Sequence, residues 1–431
     1  MDNRLSGSAL TAFYKEHLTE SLLPFWEKAV DREHGGIFTC YSNDGGRLFS
    51  RDKYTWSQGR FVWLWSKLAG MSARGLLALP SGRYAEEAGK AADFLRRNAI
   101  MDNGNCAFLL TEDGRMKESE PGKGFDTSVY ADCFVVLGFA AYARVSGDSS
   151  YVEAALRLYD RIVERVEEGS FRSEPYPIAP GYRAHAIPMI LLNVTQELLE
   201  CAESFGHARC LELADRCRRF MDDIMNRFLQ PDGRIAEIVP ASGAAPPDTV
   251  LCRHVNPGHT LECMWFVMHA AVRLGREELL APAGRAVKRA FELGWDADYG
   301  GLLRFVDRDG GRPAGRMAND PYETLVLDTW DTKLWWPHSE ALYVTLLSSR
   351  LLGDPDFAAL YDKTHCYVFR TFPNPDRTIG EWVQIRDRQG RPLDKIVALP
   401  VKDPFHIMRN VLLIIELLDG DGRRLREAAS S

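Results

Sequence analysis

Two kinds of helical segment alternate along almost the whole of this chain, and the alternation leaves few architectures open. Residues 56–77, 126–145, 184–205, 258–274, 335–352 and 404–418 are apolar nearly all round. Residues 10–30, 84–98, 151–168, 207–229, 277–293 and 355–372 are apolar on one side and polar on the other. A helix apolar all round has to be buried, whereas a one-sided helix covers a core. About twelve helices in two-helix units, none able to bury itself alone, predict an all-α (α/α)6 barrel of inner and outer rings. Short strand-like runs broken by Asp44-Gly45, Asp113-Gly114, Asp232-Gly233, Asp309-Gly310 and Gln389-Gly390 precede most inner helices. Gly turns between apolar runs signal β-hairpins, which would build one mouth of the barrel. No Pro/Ser-rich linker divides the chain, so residues 1–431 read as one domain, with a polar, frayed tail expected at 420–431.

Composition removes several function classes. The net charge of -7, with acids and bases interspersed, gives no basic face for nucleic acid. No signal-like apolar core lies at the start, and no run of about eighteen apolar residues occurs, so neither a signal nor a membrane span is expected. The nine Cys form no C-x-x-C pair and read as reduced thiols of a cytoplasmic protein. Ten Trp suit a core, or a cleft that stacks on sugar rings.

Polar residues gather where the inner helices begin. Asn256-Pro257-Gly258-His259-Thr260-Leu261-Glu262 is a helix start, with Asn256 as cap and Pro257 in the first turn. His259 and Glu262, three apart, share a face, and the helix dipole is expected to keep His259 neutral and basic. Arg60, Tyr130, His185, His338, Glu340 and His406 stand at the other inner-helix starts. By residue type alone, Arg60 also fits a structural ion pair, Tyr130 fits core or a substrate contact, Trp56 and Trp336 fit core, and His185 and His338 fit satisfied core histidines. His269, midway along an inner helix, reads as packing. The spacing of His254, His259 and Glu262 is not the H-E-x-x-H zinc pattern, and no Gly-rich phosphate loop follows a strand, so neither metal nor cofactor is expected.

Lys53 to Arg60 with Trp63, the Asn-Pro-Gly-His-x-x-Glu of 256–262, Trp335 to Glu340, and Phe405-His406 with Arg409 together resemble the N-acylglucosamine 2-epimerase family, over almost the whole chain and in order. The resemblance implies an (α/α)6 barrel and metal-free sugar isomerisation with His259 and His406 as the acid/base pair. It further implies supporting roles for Arg60, His185 and Glu262, and a sugar contact from Trp336, His338 and Glu340. The chemistry is coherent. The open-chain C1 carbonyl acidifies the C2 proton, one imidazole removes it, and another returns a proton to the opposite face. Arg60 would stabilise the enediolate, and Glu262 would hold His259 in one tautomer or bind a hydroxyl.

The partner expected is a small sugar, an N-acylglucosamine/N-acylmannosamine or a related free hexose, with the choice between monomer and homodimer open. Two rival activities share the barrel. An aldose–ketose isomerase of the mannose/fructose type needs only one base. A glycoside hydrolase needs two carboxylates, for which Glu262, Glu340 and Glu381 are candidates. A non-catalytic partner protein would be marked by loss of a central histidine, and both are present.

Overall fold

The computed structural model describes residues 7–397 and 399–420, so residues 421–431 of the predicted tail lie outside the described residues. We number the barrel helices in chain order. The outer ones are α1 (Gly7–Glu16), α3 (Ser81–Asn98), α5 (Ser149–Glu168), α7 (Cys210–Asp223), α9 (Leu280–Gly294) and α11 (Pro355–Thr371). The inner ones are α2 (Thr55–Ala73), α4 (Val129–Ser146), α6 (Ala186–Ser204), α8 (Pro257–Arg273), α10 (Trp335–Leu352) and α12 (Phe405–Asp419). Neighbouring inner helices pack in sequence from α2 to α12, and α12 packs back on α2, so the ring closes. Each later outer helix lies on the inner helix before it, while α1 lies on α12 and completes the outer layer. The barrel is the (α/α)6 arrangement expected from the alternation.

The local reasons are visible in the sequence. Asp148 and Asp354 cap α5 and α11 by accepting from the backbone N–H groups of Ser150 and Asp356. Gly147 and Gly353, in the left-handed region, end the inner helices before them. The closest crossing in the ring is glycine on glycine. A Cβ on Gly59 of α2 would lie 2.2 Å from the Phe134 carbonyl oxygen, and one on Gly138 of α4 would lie 2.7 Å from the Gly59 oxygen. The helix Val129–Ser146 is long and apolar enough to cross a membrane, but 78% of it is buried inside the barrel. The first and fourth outer segments run on through π-helical turns at His17–Leu22 and Ile224–Phe228.

The loops at the N-terminal ends of the inner helices are tied to one another. The Asp113-Gly114 turn closes a hairpin between Leu109–Leu110 and Met116–Lys117. Elsewhere, the two or three residues that lead into one inner helix pair antiparallel with the loop that leads into the next. Lys53–Tyr54 thus pairs with Leu109–Leu110, Tyr182–Ala184 with Ile238–Pro240, His254–Val255 with Val306–Asp307, and Lys333–Leu334 with Ile385–Arg386. This chain of small sheets laces the mouth of the barrel and fixes where each inner helix starts. A further helix, Pro321–Thr329, sits in the loop before α10 on a capping box made by Asp320 and Glu323.

Candidate active site

A cleft opens at that laced mouth. Its walls include Arg60 and Tyr130, which follow from the starts of α2 and α4, His259 and Glu262 from α8, Trp336 from α10, and His406 from α12. The indole of Trp336 lies in the middle. The His259 ring packs against it at 5.4 Å between centroids, and the His406 ring at 5.6 Å. The two histidines, so far apart in the chain, therefore share one surface. Gly258 makes this possible, because a Cβ there would meet the Trp336 ring at 2.6 Å.

Each imidazole is held from behind by a carboxylate. His259 Nδ1 meets Glu237 Oε2 at 2.8 Å, and His406 Nδ1 meets Glu340 Oε1 at 2.7 Å. A carboxylate on Nδ1 fixes the ring and leaves Nε2 for the cavity. The two dyads differ in their second neighbours. Glu237 also faces His185 Nδ1 at 3.7 Å, and the histidines hold its carboxyl far below the usual range although burial pushes it up. Burial alone would lower the His259 value, but the Glu237 charge and hydrogen bond outweigh burial and raise it. The expectation that the helix start lowers the proton affinity of His259 is corrected here, because the Glu237 anion beside it raises that affinity.

Glu340 belongs to a denser network. The Arg409 guanidinium donates to Glu340 Oε1 at 2.6 Å and to Glu262 Oε1, and the Trp265 indole N–H donates to Glu340 Oε2 at 2.7 Å. Burial pushes the Glu340 carboxyl up, yet the charges of Arg409 and His406 hold it at about 2. On the cavity side, Arg60 approaches His406 Nε2 at 3.4 Å and Asp403 Oδ2 at 3.3 Å. Burial lowers the Arg60 value only to about 10, so it stays cationic at neutral pH. Its guanidinium lies over the Phe134, Trp56 and Phe405 rings, at 4.1, 4.8 and 5.0 Å.

Several expectations from the sequence need correcting. Glu262 holds Arg409 rather than His259, whose partner is Glu237. His338 stands outside the cleft. Its Nε2 accepts from the Leu302 N–H at 2.8 Å, its Nδ1 meets the Leu334 carbonyl at 2.6 Å, and it stacks on Tyr367 at 5.3 Å. Burial drops its value to about 3, so it is a neutral packing residue. His185 is fully buried behind Glu237, and Glu340 is fully buried behind His406, so neither is a wall of the cavity. Glu381, a candidate hydrolytic acid, is buried in an ion pair with Lys402 at 2.8 Å. Glu237, Asp403 and Arg304 were not singled out from sequence, and Arg409 was marked only as part of the motif at the start of α12. The signal for Glu237 was a lone acid inside the apolar run Ile235-Ala236-Glu237-Ile238-Val239.

Among the described residues three groups offer metal-ligating atoms close together, Asp31, His34 and Glu112 away from the cleft and two at it: His185, Glu237 and His259, and Glu262, Glu340 and His406. In the first of these two, His259 is engaged with Glu237 while the His185 ring nitrogens have no hydrogen-bond partner; in the second, the positive charge of Arg409 already sits where a cation would bind. Among the described residues, no Gly-rich phosphate cradle borders the cleft.

The chain matches the sequence profile of the N-acylglucosamine 2-epimerase (GlcNAc 2-epimerase) family over residues 36–409. It is 33% identical to an N-acylglucosamine 2-epimerase of Homo sapiens over 416 residues, covering 94% of this chain and 90% of that one. The fold is shared with solved structures at much lower identity. The cellobiose 2-epimerase of Bacillus thermoamylovorans superposes with a TM-score of 0.75 at 18% identity, covering 95% of this chain and 99% of that one. A D-mannose isomerase gives 0.73 at 17% identity, covering 94% and 97%. With its barrel, its paired histidines and this match across most of its length, the chain belongs to the N-acylglucosamine 2-epimerase family, and so to the epimerases among the isomerases.

Proposed function

We propose that this chain is a cofactor-independent sugar 2-epimerase that interconverts an N-acylglucosamine and its N-acylmannosamine, or a related free hexose, with His406 and His259 as paired base and acid. The carrying observation is the placing of both imidazoles on one indole, each with a carboxylate on Nδ1. Support for the N-acyl hexosamine comes from the human relative, whose identity extends over most of both chains.

The two dyads suit opposite starting states. Arg60 can only donate, so its approach to His406 Nε2 favours an unprotonated nitrogen there, with Nδ1–H donating to Glu340. His259 has its proton affinity raised by Glu237. In one direction His406 Nε2 takes the C2 proton of the open-chain aldose. The electron pair moves toward the C1 oxygen to give an enolate (an enediolate where C2 carries a hydroxyl, as in a free hexose), which the Arg60 cation stabilises. His259 Nε2 then delivers a proton to the opposite face of C2, and the C1 carbonyl re-forms. The reverse direction exchanges the two roles. Positioned proton transfer of this kind contributes about 10²–10⁴-fold in rate.

Product analysis by NMR in deuterated water tests the reading against a ketose-forming isomerase. The expected product is the C2 epimer with deuterium at C2. Accumulation of a ketose, or a C2 epimer that retains its original proton, would overturn it.

A further inference from the structure

A second cavity lies at the other end of the barrel, enclosed by the C-terminal halves of the inner helices. Trp63, Trp265 and Tyr343 supply ring surface there, and Asn193, Gln196 and Glu197 supply polar atoms. The cations around it are already engaged. Lys67 pairs with Glu416 at 2.7 Å, Arg74 pairs with the same carboxylate, Arg144 with Glu200, and Arg273 with Glu203.

The unspent capacity is of the opposite kind. Asn193, which also reaches the floor of the front cleft, is 5% exposed and its Oδ1 has no hydrogen-bond partner. Gln196 donates its Nε2 to the Phe266 carbonyl at 3.1 Å, which leaves its carbonyl oxygen. Glu197 has no ion-pair partner among the described residues; the Trp63 indole hydrogen-bonds to it, which leaves acceptor positions on its carboxylate, and burial raises its carboxyl value. A buried acceptor without a donor is destabilising, so a ligand that donates here relieves a standing penalty. The ligand's charge follows from the same inventory. No unpaired cation among the described residues invites an anion, and an ammonium would sit beside Lys67 and Arg144, both close enough to act on Glu197. A neutral molecule rich in hydroxyl donors, with C–H faces for the rings, satisfies all of these conditions.

We propose that this rear cavity is a second carbohydrate site that takes a neutral monosaccharide, its hydroxyls donating to Asn193 Oδ1, Gln196 Oε1 and Glu197. The site has a route to the cleft. Trp265, part of its wall, donates its indole N–H to Glu340, whose other oxygen holds His406.

The test is calorimetric titration of the full chain with methyl α-glucopyranoside, which cannot open to an aldehyde. The expected result is a binding event that survives Trp336→Ala, a change confined to the cleft. Glu197→Ala should weaken the event at least about tenfold by removing an acceptor. Gly70→Leu should abolish it by filling the cavity. A Cβ on Gly70 meets only Val145 Cγ2, at 3.9 Å, so the helix has room for the change. Neither rear variant touches the cleft, and both should keep the parent's turnover. The proposal is overturned if no event survives Trp336→Ala, if the event persists in both rear variants, or if inorganic phosphate displaces the glucoside. Failure here leaves the reading of the cleft intact, because that reading is tested by label at C2 and not by this titration.

Discussion

Gly258 precedes His259 in the first turn of α8, and its bare Cα is the surface on which the Trp336 indole rests. A methyl group there would stand 2.6 Å from both Cη2 and Cζ3 of Trp336 and 2.9 Å from Pro337 Cβ. Carbon atoms settle at about 3.5–4.0 Å, so the ring has to retreat by roughly 1 Å. Pro337, next in the backbone of α10, is pressed as well, so the indole cannot simply swing while the helix stays still. Both imidazoles pack on that indole, and a displacement of about 1 Å at reacting groups costs on the order of 10²-fold in rate. Folding is not the weak point of Gly258→Ala. Alanine gains up to about 1 kcal/mol over glycine in a helix, which offsets part of the contact strain. The assay is turnover by NMR detection of the C2 epimer, alongside circular dichroism and a thermal midpoint. The expected result is turnover lowered by about 10²-fold in a folded protein. Turnover within about twofold of the parent would refute the claim that the indole's place between the histidines matters.

Other perturbations probe the supports. Glu237→Gln removes the anion that raises the His259 value, so the His259 titration followed by NMR should move down and turnover fall by about 10²-fold or more. The sign for stability follows from both partners. The raised histidine contributes below about pH 6.5 and fades as pH climbs through its folded value, while the depressed Glu237 contributes above about 4.3 and fades toward acid, so the variant's deficit in denaturant titrations should be widest between those limits. His338→Gln should lower stability by about 1–3 kcal/mol, because the Leu302 N–H loses its acceptor, while turnover per folded molecule stays at the parent level. Because the His338 value falls to about 3, its contribution is complete above about pH 6.5 and is lost as pH drops toward 3, and the variant's denaturation curves should lack that part of the acid sensitivity. Gly59→Ala puts a methyl 2.2 Å from a backbone oxygen of α4, which cannot move alone, and should cost at least about 3 kcal/mol in thermal unfolding.

The barrel was legible because burial leaves a mark on every turn of helix. Inner and outer segments differ in how far round the helix their apolar residues extend, and that difference survives in the sequence. The lacing of the mouth left no such mark, because each small sheet joins two or three residues from one loop to another loop far along the chain. The helical period also sorts the Trp335 to Glu340 segment better than proximity does. Trp336 and Glu340 are four apart and share a face, whereas His338, two from each, points almost the opposite way. The same period placed His259 and Glu262 together correctly but could not assign their partners. Those come from other elements, Glu237 from the residue just before the strand Ile238–Pro240 and Arg409 from α12. A charged residue isolated in an apolar run was the one available signal for Glu237.

The central claim is that two histidines address opposite faces of one carbon, and C2–H exchange in deuterated water reads this directly, epimer by epimer. With His259→Ala, the wash-in of deuterium should persist for the epimer whose proton faces His406 and vanish for the other, and no epimer should interconvert. His406→Ala should give the mirror pattern. Exchange of both epimers in either single variant, or continued interconversion without one of the two imidazoles, would contradict the account.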